Sequence, residues 1–350
     1  MELPNGINIV SVSGGKDSLA TLLLAIEKKA PRLQAVFADT GHEHPKTYEY
    51  IKYLSETVFP IQTIKSDFTK AIEHKREVIQ KKWRLPTKAW VWPKGHENHK
   101  QVEDWKDDGR LRWNCDCREY QEDVPPISEE KIERALKVLV PTGIPFLDLC
   151  LVKGRFPSAK ARFCTDELKI RPIMEQINLP FLLKGISVIS WQGVRRDESL
   201  ARSVLPEIDG DGEWENGAKL YNYRPILDWT AEQVFKKAAD YGLKPNPLYL
   251  EGMGRVGCMP CIHARKNELL EISRRYPEEF RRVAEWEDLV KQASKRDGGT
   301  FFQTGTPMGD NIMEVAEWAK TSFGGKQYDL ERMVIEDQVM SCKSIYGLCE

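Results

Sequence analysis

The sequence predicts an α/β fold: a parallel twisted sheet with helices on both faces, followed by a C-terminal helical module that bears cysteines. Three observations carry this. Between residues 7 and 82, short β-branched runs alternate with segments of helix formers, the pattern of a sheet covered on both sides. A glycine pair, Gly14-Gly15, falls in the first strand-to-helix turn. After Cys258 no strand signal remains, and segments 266–275, 277–294 and 310–320 have helical spacing only.

The elements follow in order. Residues 7–12 are a β-branched strand, and 19–28 an apolar helix rich in leucine and alanine. Strands at 33–38 and 61–64 alternate with helices at 48–58 and 67–82. Regularity then fails over 83–127, where Trp83, Trp90, Trp92, Trp105 and Trp113 stand among Pro, Lys, Asn and His. An excursion of that length is an insertion with a function or with freedom to move. Helices resume at 128–138, with Ser128 at the N-cap, and at 165–177. Residues 186–191 read as a central strand. Thr230 caps a helix that Gly242 ends. Residues 1–250 therefore form the α/β domain, with its insertion at about 83–127, and residues 251–350 a helical four-cysteine module.

Bulk properties narrow the function. The net charge is −1, so the chain as a whole is no polyanion trap, although a local basic face is compatible with it. No apolar run reaches the ~20 residues that span a bilayer. Met1-Glu2-Leu3-Pro4-Asn5 lacks the basic and apolar regions of a secretory signal. A cytoplasmic protein with no membrane partner is expected. In a reducing compartment its eight cysteines, at 115, 117, 150, 164, 258, 261, 342 and 349, are thiols or metal ligands rather than disulfides.

The turn Ser13-Gly14-Gly15-Lys16-Asp17-Ser18 carries the strongest chemical signal. Two glycines let the backbone approach a phosphate. The following helix start offers free N–H groups and a partial positive charge. Lys16 adds a full charge, Ser13 and Ser18 add hydroxyls, and Asp17 organises the helix start or a metal. The spacing is not that of the P-loop G-x-x-x-x-G-K-[ST]. Cys258-Met259-Pro260-Cys261 is the second signal. With Cys342 and Cys349 it makes two thiol pairs, which suit an iron–sulfur cluster or zinc. Cys150 lies in an apolar run and reads as core.

The hexapeptide resembles the PP-loop of the ATP pyrophosphatase superfamily, in its PAPS reductase-like branch. The likeness continues through Asp39-Thr40-Gly41-His42-Glu43-His44-Pro45, Phe163-Cys164-Thr165-Asp166-Glu167-Leu168-Lys169 and Gly193-Val194-Arg195-Arg196-Asp197-Glu198-Ser199 with Arg202. It ends in Pro225–Thr230, Pro247-Leu248-Tyr249 and Gly257–Cys261. The resemblance implies ATP and Mg²⁺ as ligands. It assigns Lys16, Asp17 and Arg195 to catalysis. Ser11, Ser13, Gly14, Gly15, Ser18, Asp39, Thr40, Gly41, Lys169, Gly193 and Arg202 are assigned to nucleotide binding.

Within that branch, two features distinguish the chain from sulfonucleotide reductases. It ends Tyr346-Gly347-Leu348-Cys349-Glu350 rather than in an E-C-G-L-H-type tail, and Phe163-Cys164 stands where APS reductases of the plant and bacterial type have a Cys-Cys doublet. The chain is closer in character to the DndC- and SspD-type ATP pyrophosphatases of DNA phosphorothioation. That likeness implies a [4Fe–4S] cluster, in preference to zinc, on Cys258, Cys261, Cys342 and Cys349. It also implies a cysteine desulfurase as sulfur donor, DNA as substrate and other phosphorothioation proteins as partners. Lys94, His96, His99, Lys100, Arg110 and Arg112 of the insertion suit nucleic acid, a protein partner or a solvated loop, and Cys115 and Cys117, beside Arg112 and Arg118, suit a persulfide, an oxidisable pair or an incidental loop feature. A PAPS or APS reductase and a non-catalytic nucleotide-binding scaffold are the alternatives.

Overall fold

The computed structural model describes residues 4–91, 102–105, 111–114, 120–302, 308–321, 344–346 and 348. Its centre is a six-stranded sheet. Strand β1 (Ile7–Ser11) pairs in parallel with β2 (Leu33–Asp39), and β2 with β3 (Ile61–Lys65). The insertion contributes β4 (Thr87–Val91), β5 (Val102–Trp105), β6 (Leu111–Asn114) and β7 (Tyr120–Val124). The sheet resumes on the other side of β1 with β8 (Val188–Trp191), and β10 (Lys219–Tyr223) runs parallel to β8. Strand β9 (Ile208–Glu213) closes that edge antiparallel to β10. The order is β3-β2-β1-β8-β10-β9. The expected parallel sheet is therefore mostly parallel, with one antiparallel edge strand that sequence reading did not find.

The sheet order reverses between β1 and β8. In open α/β sheets such a reversal opens a crevice at the strand ends, where ligands bind. The turn after β1 and the turn after β8 both lie there. Alternation along the strands fills both faces: Val10, Ala35, Phe37, Ile189 and Trp191 pack on one side with α1 (Lys16–Glu27) and α2 (Pro45–Thr57). Ile7, Ile9, Val36, Ala38 and Val188 pack on the other with Ile177 and Leu182. Burial of each such side chain contributes roughly 1.5–3 kcal/mol. Asn8 is the polar exception, and it is satisfied by the Trp191 indole N–H at 2.8 Å and by Pro31 O at 2.8 Å.

A third core joins α3 (Thr69–Lys82), α4 (Glu129–Val138) and α5 (Pro145–Lys153) to the C-terminal helices. Between them the chain passes through short helices α6 (Phe163–Thr165), α7 (Arg171–Ile173) and α8 (Leu179–Leu182), joined by π-turns Asp166–Ile170 and Met174–Asn178. These segments are contiguous, so the helix expected over 165–177 is present, extended to 163–182 and alternating between α and π turns. Helix α9 (Leu200–Ser203) follows β8. Helix α10 (Ala231–Asp240) is capped as expected: Thr230 Oγ1 accepts from Gln233 N at 3.2 Å, and Gln233 Oε1 accepts from Thr230 N at 2.8 Å. Helices α11 (Lys266–Arg275), α12 (Pro277–Ala293) and α13 (Ile312–Ala319) lie where helical spacing placed them. Cys150 is fully buried in this core.

The described parts of the insertion form two short strand pairs. Strand β4 pairs with β7, and β5 with β6, all antiparallel. At its base, Ile127 N donates to Trp83 O at 2.8 Å. No helix among the described residues is long and apolar enough to cross a membrane.

Candidate functional site

The site is built on the turn between β1 and α1. Gly14 adopts φ +74°, a conformation that favours glycine. Gly15 is the N-cap of α1 and has no side chain to satisfy the helix start. Ser18 does part of that work: its Oγ donates to Gly15 O at 2.9 Å and accepts from Ser13 N at 3.1 Å. The turn is braced from 3₁₀ segment Pro247–Glu251, where Tyr249 Oη accepts from Lys16 N at 3.0 Å. Asn246 Nδ2 donates to Gly14 O at 3.2 Å. None of the described hydrogen bonds uses the N–H of Gly14 or Gly15, so the turn keeps donors for an anion.

The charges of the turn form a chain. Asp17 Oδ2 takes Lys16 Nζ at 2.8 Å, and Asp17 Oδ1 takes Arg195 Nε at 2.7 Å. Arg195 also reaches Asp197. The side chains of Lys16 and Arg195 are 7% and 6% exposed, so these charges meet in a poorly solvated place where each interaction is stronger than in water. Arg195 arrives because Gly193 lets the turn after β8 touch α1. A Cβ on Gly193 would lie 2.8 Å from the Asp17 carbonyl group and 2.9 Å from Ser18 N.

The end of β2 supplies the second wall. Asp39 Oδ1 accepts from Gly41 N at 2.8 Å and from Tyr48 Oη at 2.7 Å, while Lys65 stands 3.9 Å from Oδ2. Glu43 Oε2 accepts from Thr40 N at 3.1 Å and Thr40 Oγ1 at 2.8 Å. Its Oε1 faces Cys258 Sγ at 3.8 Å. A single antiparallel bridge between Glu43 and Cys258 ties this loop to the thiol pair. His42 fastens the same junction, with Nε2 2.9 Å from Pro260 O and Nδ1 3.1 Å from Arg282. Burial, aided by the Arg282 charge, lowers the His42 pKa to about 3.

Lys169 belongs to this wall. Its pKa is raised, first by Cys258 and then, against the cost of burial, by Glu43, Cys261 and Cys164. Burial pushes the Cys258 thiol up to about 12, with Glu43 and Cys261 adding to the rise and Lys169 opposing it. Cys164, Cys258 and Cys261 thus share one electrostatic neighbourhood. Among the described residues, no three of His, Cys, Asp and Glu are gathered so as to hold a metal ion.

Residues 7–264 match the phosphoadenosine phosphosulfate reductase domain, a span that contains the turn, both walls and the thiol pair. The chain belongs to that family. A relative in Escherichia phage 186, an uncharacterised 37.8 kDa protein, is 47% identical over 98% of this chain and 97% of its own length. A phosphoadenosine 5'-phosphosulfate reductase of Buchnera aphidicola is 24% identical, over 71% of this chain and 68% of its own. The structure of a Candida auris phosphoadenylyl-sulfate reductase overlaps 73% of this chain and 82% of its own at a TM-score of 0.35, with 18% identity.

Within this phosphoadenosine phosphosulfate reductase domain, most residues singled out from sequence converge. Ser13, Gly14, Gly15, Lys16, Asp17, Ser18, Gly193 and Arg195 meet at the switch point. Ser11 is the last residue of β1, opposite Val36. Asp39, Thr40, Gly41 and Lys169 form the neighbouring wall with the thiols. Arg202, on α9, does not join them in the described contacts: it pairs with Glu198 of the preceding 3₁₀ turn, Arg196–Glu198. Cys342, Cys349, Cys115 and Cys117 lie outside the described residues, as do Lys94, His96, His99, Lys100 and Arg110. Sequence reading gave no role to Tyr48, Glu43, Asn246, Tyr249 or Tyr346. The signal for Tyr249 was present in Pro247-Leu248-Tyr249, but nothing in sequence placed its hydroxyl on the Lys16 amide.

Proposed function

We propose that this chain is an ATP pyrophosphatase that adenylates a substrate for sulfur incorporation, with a DNA backbone phosphate as the acceptor. The observation that carries the reading is the chain of charge from Arg195 through Asp17 to Lys16, beside a glycine turn with unused N–H donors. A non-bridging acceptor oxygen attacks the α-phosphorus of ATP, the bond to the β-phosphate oxygen breaks, and pyrophosphate leaves. The turn amides and Lys16 stabilise the charge that develops on the leaving group. The terminal sulfur of a persulfide supplied by a cysteine desulfurase then attacks the activated phosphorus and displaces AMP, and a thiol reductant cleaves the remaining S–S bond, leaving the phosphorothioate and a disulfide.

Asp39 suits Mg²⁺, because its Oδ2 has only a loose contact with Lys65 at 3.9 Å; a bound Mg²⁺ supplies further charge neutralisation at the phosphates. The thiols of Cys258 and Cys261 suit a soft metal, and with Cys342 and Cys349 they would hold the [4Fe–4S] cluster, which supplies electron transfer when bound. An anaerobic preparation is then brown, and loses its colour in Cys258→Ala; a colourless, zinc-containing protein contradicts the cluster.

The test of the activity is pyrophosphate release from ATP by the full chain, with and without a desulfurase and acceptor DNA, compared with Lys16→Ala. No release under any condition refutes the reading. A second reading, a sulfonucleotide reductase, draws on the Buchnera relative, itself a phosphoadenosine 5'-phosphosulfate reductase. Sulfite formed from PAPS or APS with a thiol reductant selects it.

A further inference from the structure

Near its C-terminus the chain returns to the phosphate turn. The Tyr346 ring lies with its centroid 5.2 Å from Lys16 Nζ, and the Tyr249 ring with its centroid 5.8 Å from the same nitrogen. Phe235 backs both rings, at centroid distances of 5.0 and 5.3 Å. An ammonium has three hydrogens to donate. Here one carboxylate oxygen, Asp17 Oδ2, accepts from it at 2.8 Å, and two aromatic rings occupy its other flanks.

The returning segment, Ser344–Tyr346, rests on Gly254. Tyr346 Oη donates to Gly254 O at 2.8 Å. Ile345 lies over Gly254, where a Cβ would come within 3.0 Å of its Cδ1, yet Ile345 remains 61% exposed. The described contacts of Tyr346 and Ile345 thus include one hydrogen bond, one cation–π pair and a small aromatic cluster, with an apolar side chain left facing water.

We propose that Tyr346 is a brake on the phosphate turn: it holds the Lys16 ammonium in an aromatic box, and a polyphosphate anion bound at the turn draws Lys16 out and displaces the strap. The inference rests on reading the turn as a phosphate site. The direction follows from chemistry. A cation over a ring is held by a quadrupole alone, whereas pyrophosphate offers several charged oxygens to the same ammonium and to the Gly14 and Gly15 amides. Ring and anion compete for one lysine, so whatever stabilises the strap weakens anion binding by the same factor. Any ligand or partner that takes up the segment 344–346 would sensitise the site to nucleotide.

The test is titration of inorganic pyrophosphate into the full-length protein by calorimetry, in wild type, Tyr346→Phe and Tyr346→Ala. The Ala variant is expected to bind roughly two- to thirtyfold tighter, the range of a cation–π contact; the Phe variant keeps the ring but loses the hydrogen bond to Gly254 O, and falls between wild type and Ala. Equal or weaker binding by the Ala variant overturns the brake. Tyr346→Leu repeats the test if the Ala variant does not fold. A second readout needs no variant of Tyr346. In protein labelled with ¹³C-lysine, the Lys16 ε-methylene resonance, assigned by its loss in Lys16→Arg, is shifted by the ring current, and pyrophosphate relieves that shift. A Lys16 signal that pyrophosphate leaves in place also overturns the proposal. If pyrophosphate binds to no variant, the phosphate reading of the turn fails, while the ring-current shift still reports on the contact with Tyr346.

Discussion

Asp17 and Arg195 lie 178 positions apart in sequence and are joined by a 2.7 Å hydrogen bond between Oδ1 and Nε. Both are shielded from water, and the second oxygen of Asp17 is committed to Lys16. Removing one member of a buried pair leaves a poorly solvated charge, which costs more than the pair itself contributes. Arg195→Gln is expected to lower unfolding free energy by about 2–4 kcal/mol, read from the urea midpoint, and to slow pyrophosphate release. Arg195→Lys restores the charge without the Nε–H geometry, and should recover part of both. An unchanged midpoint in the Gln variant would show that the pair is not a structural support.

Lys16→Ala leaves Asp17 with Arg195 as its counter-charge. The expected outcome is a folded protein that loses on the order of 100-fold or more in pyrophosphate release, the scale of a removed charge-stabilising donor. Thermal melting and turnover measured together separate the two effects.

Gly193→Ala tests the contact between the turn after β8 and the start of α1. The atoms an added methyl would meet are backbone, the Asp17 carbonyl and Ser18 N, so no flexible side chain can give way. Overpacking of this kind costs about 1–3 kcal/mol. Because the shift falls on the first turn of α1, pyrophosphate affinity should fall further than melting temperature alone implies. A variant with wild-type affinity would mean that the two turns separate without consequence.

His42 makes acid stability a reporter of the junction between the β2 loop and the thiol pair. It is neutral in the folded protein down to a pKa of about 3, against 6.5 for an ordinary imidazole. Between these values the unfolded chain binds a proton that the folded chain does not. Stability therefore falls as pH drops from 6.5 towards 3, by up to about 1.4 kcal/mol per pH unit from this group. His42→Gln should flatten that limb of the stability–pH curve while lowering stability at neutral pH, since Phe146, Trp286 and Phe301 pack on the ring. Denaturant melts from pH 7 to pH 4 measure it.

The turn between β1 and α1 was legible in sequence because one contiguous hexapeptide carries it. The helices of the C-terminal region were legible because their apolar spacing is strong. Strand β9 was not, since Ile208-Asp209-Gly210-Asp211-Gly212-Glu213 holds two glycines and three acids, a composition poor in strand formers. It forms because β10 offers it a ladder. The helix expected over 165–177 is there and runs over 163–182, but its alternation between α and π turns leaves no mark in side-chain spacing. In the site, glycines and charges were found and aromatic hydroxyls were not. Tyr249 reaches the Lys16 amide across 233 positions, a separation over which local periodicity carries no information.

The hydrogen bond from Ile127 N to Trp83 O sets the insertion apart as a cassette. The chain leaves the α/β body and re-enters it through adjacent residues, and Trp83, 5% exposed, belongs to the body's own core. Loop closure across such a gap costs little whatever the length of chain between its ends. What lies beyond that bond can therefore be lengthened, shortened or exchanged without recasting the sheet that holds the β1–α1 turn.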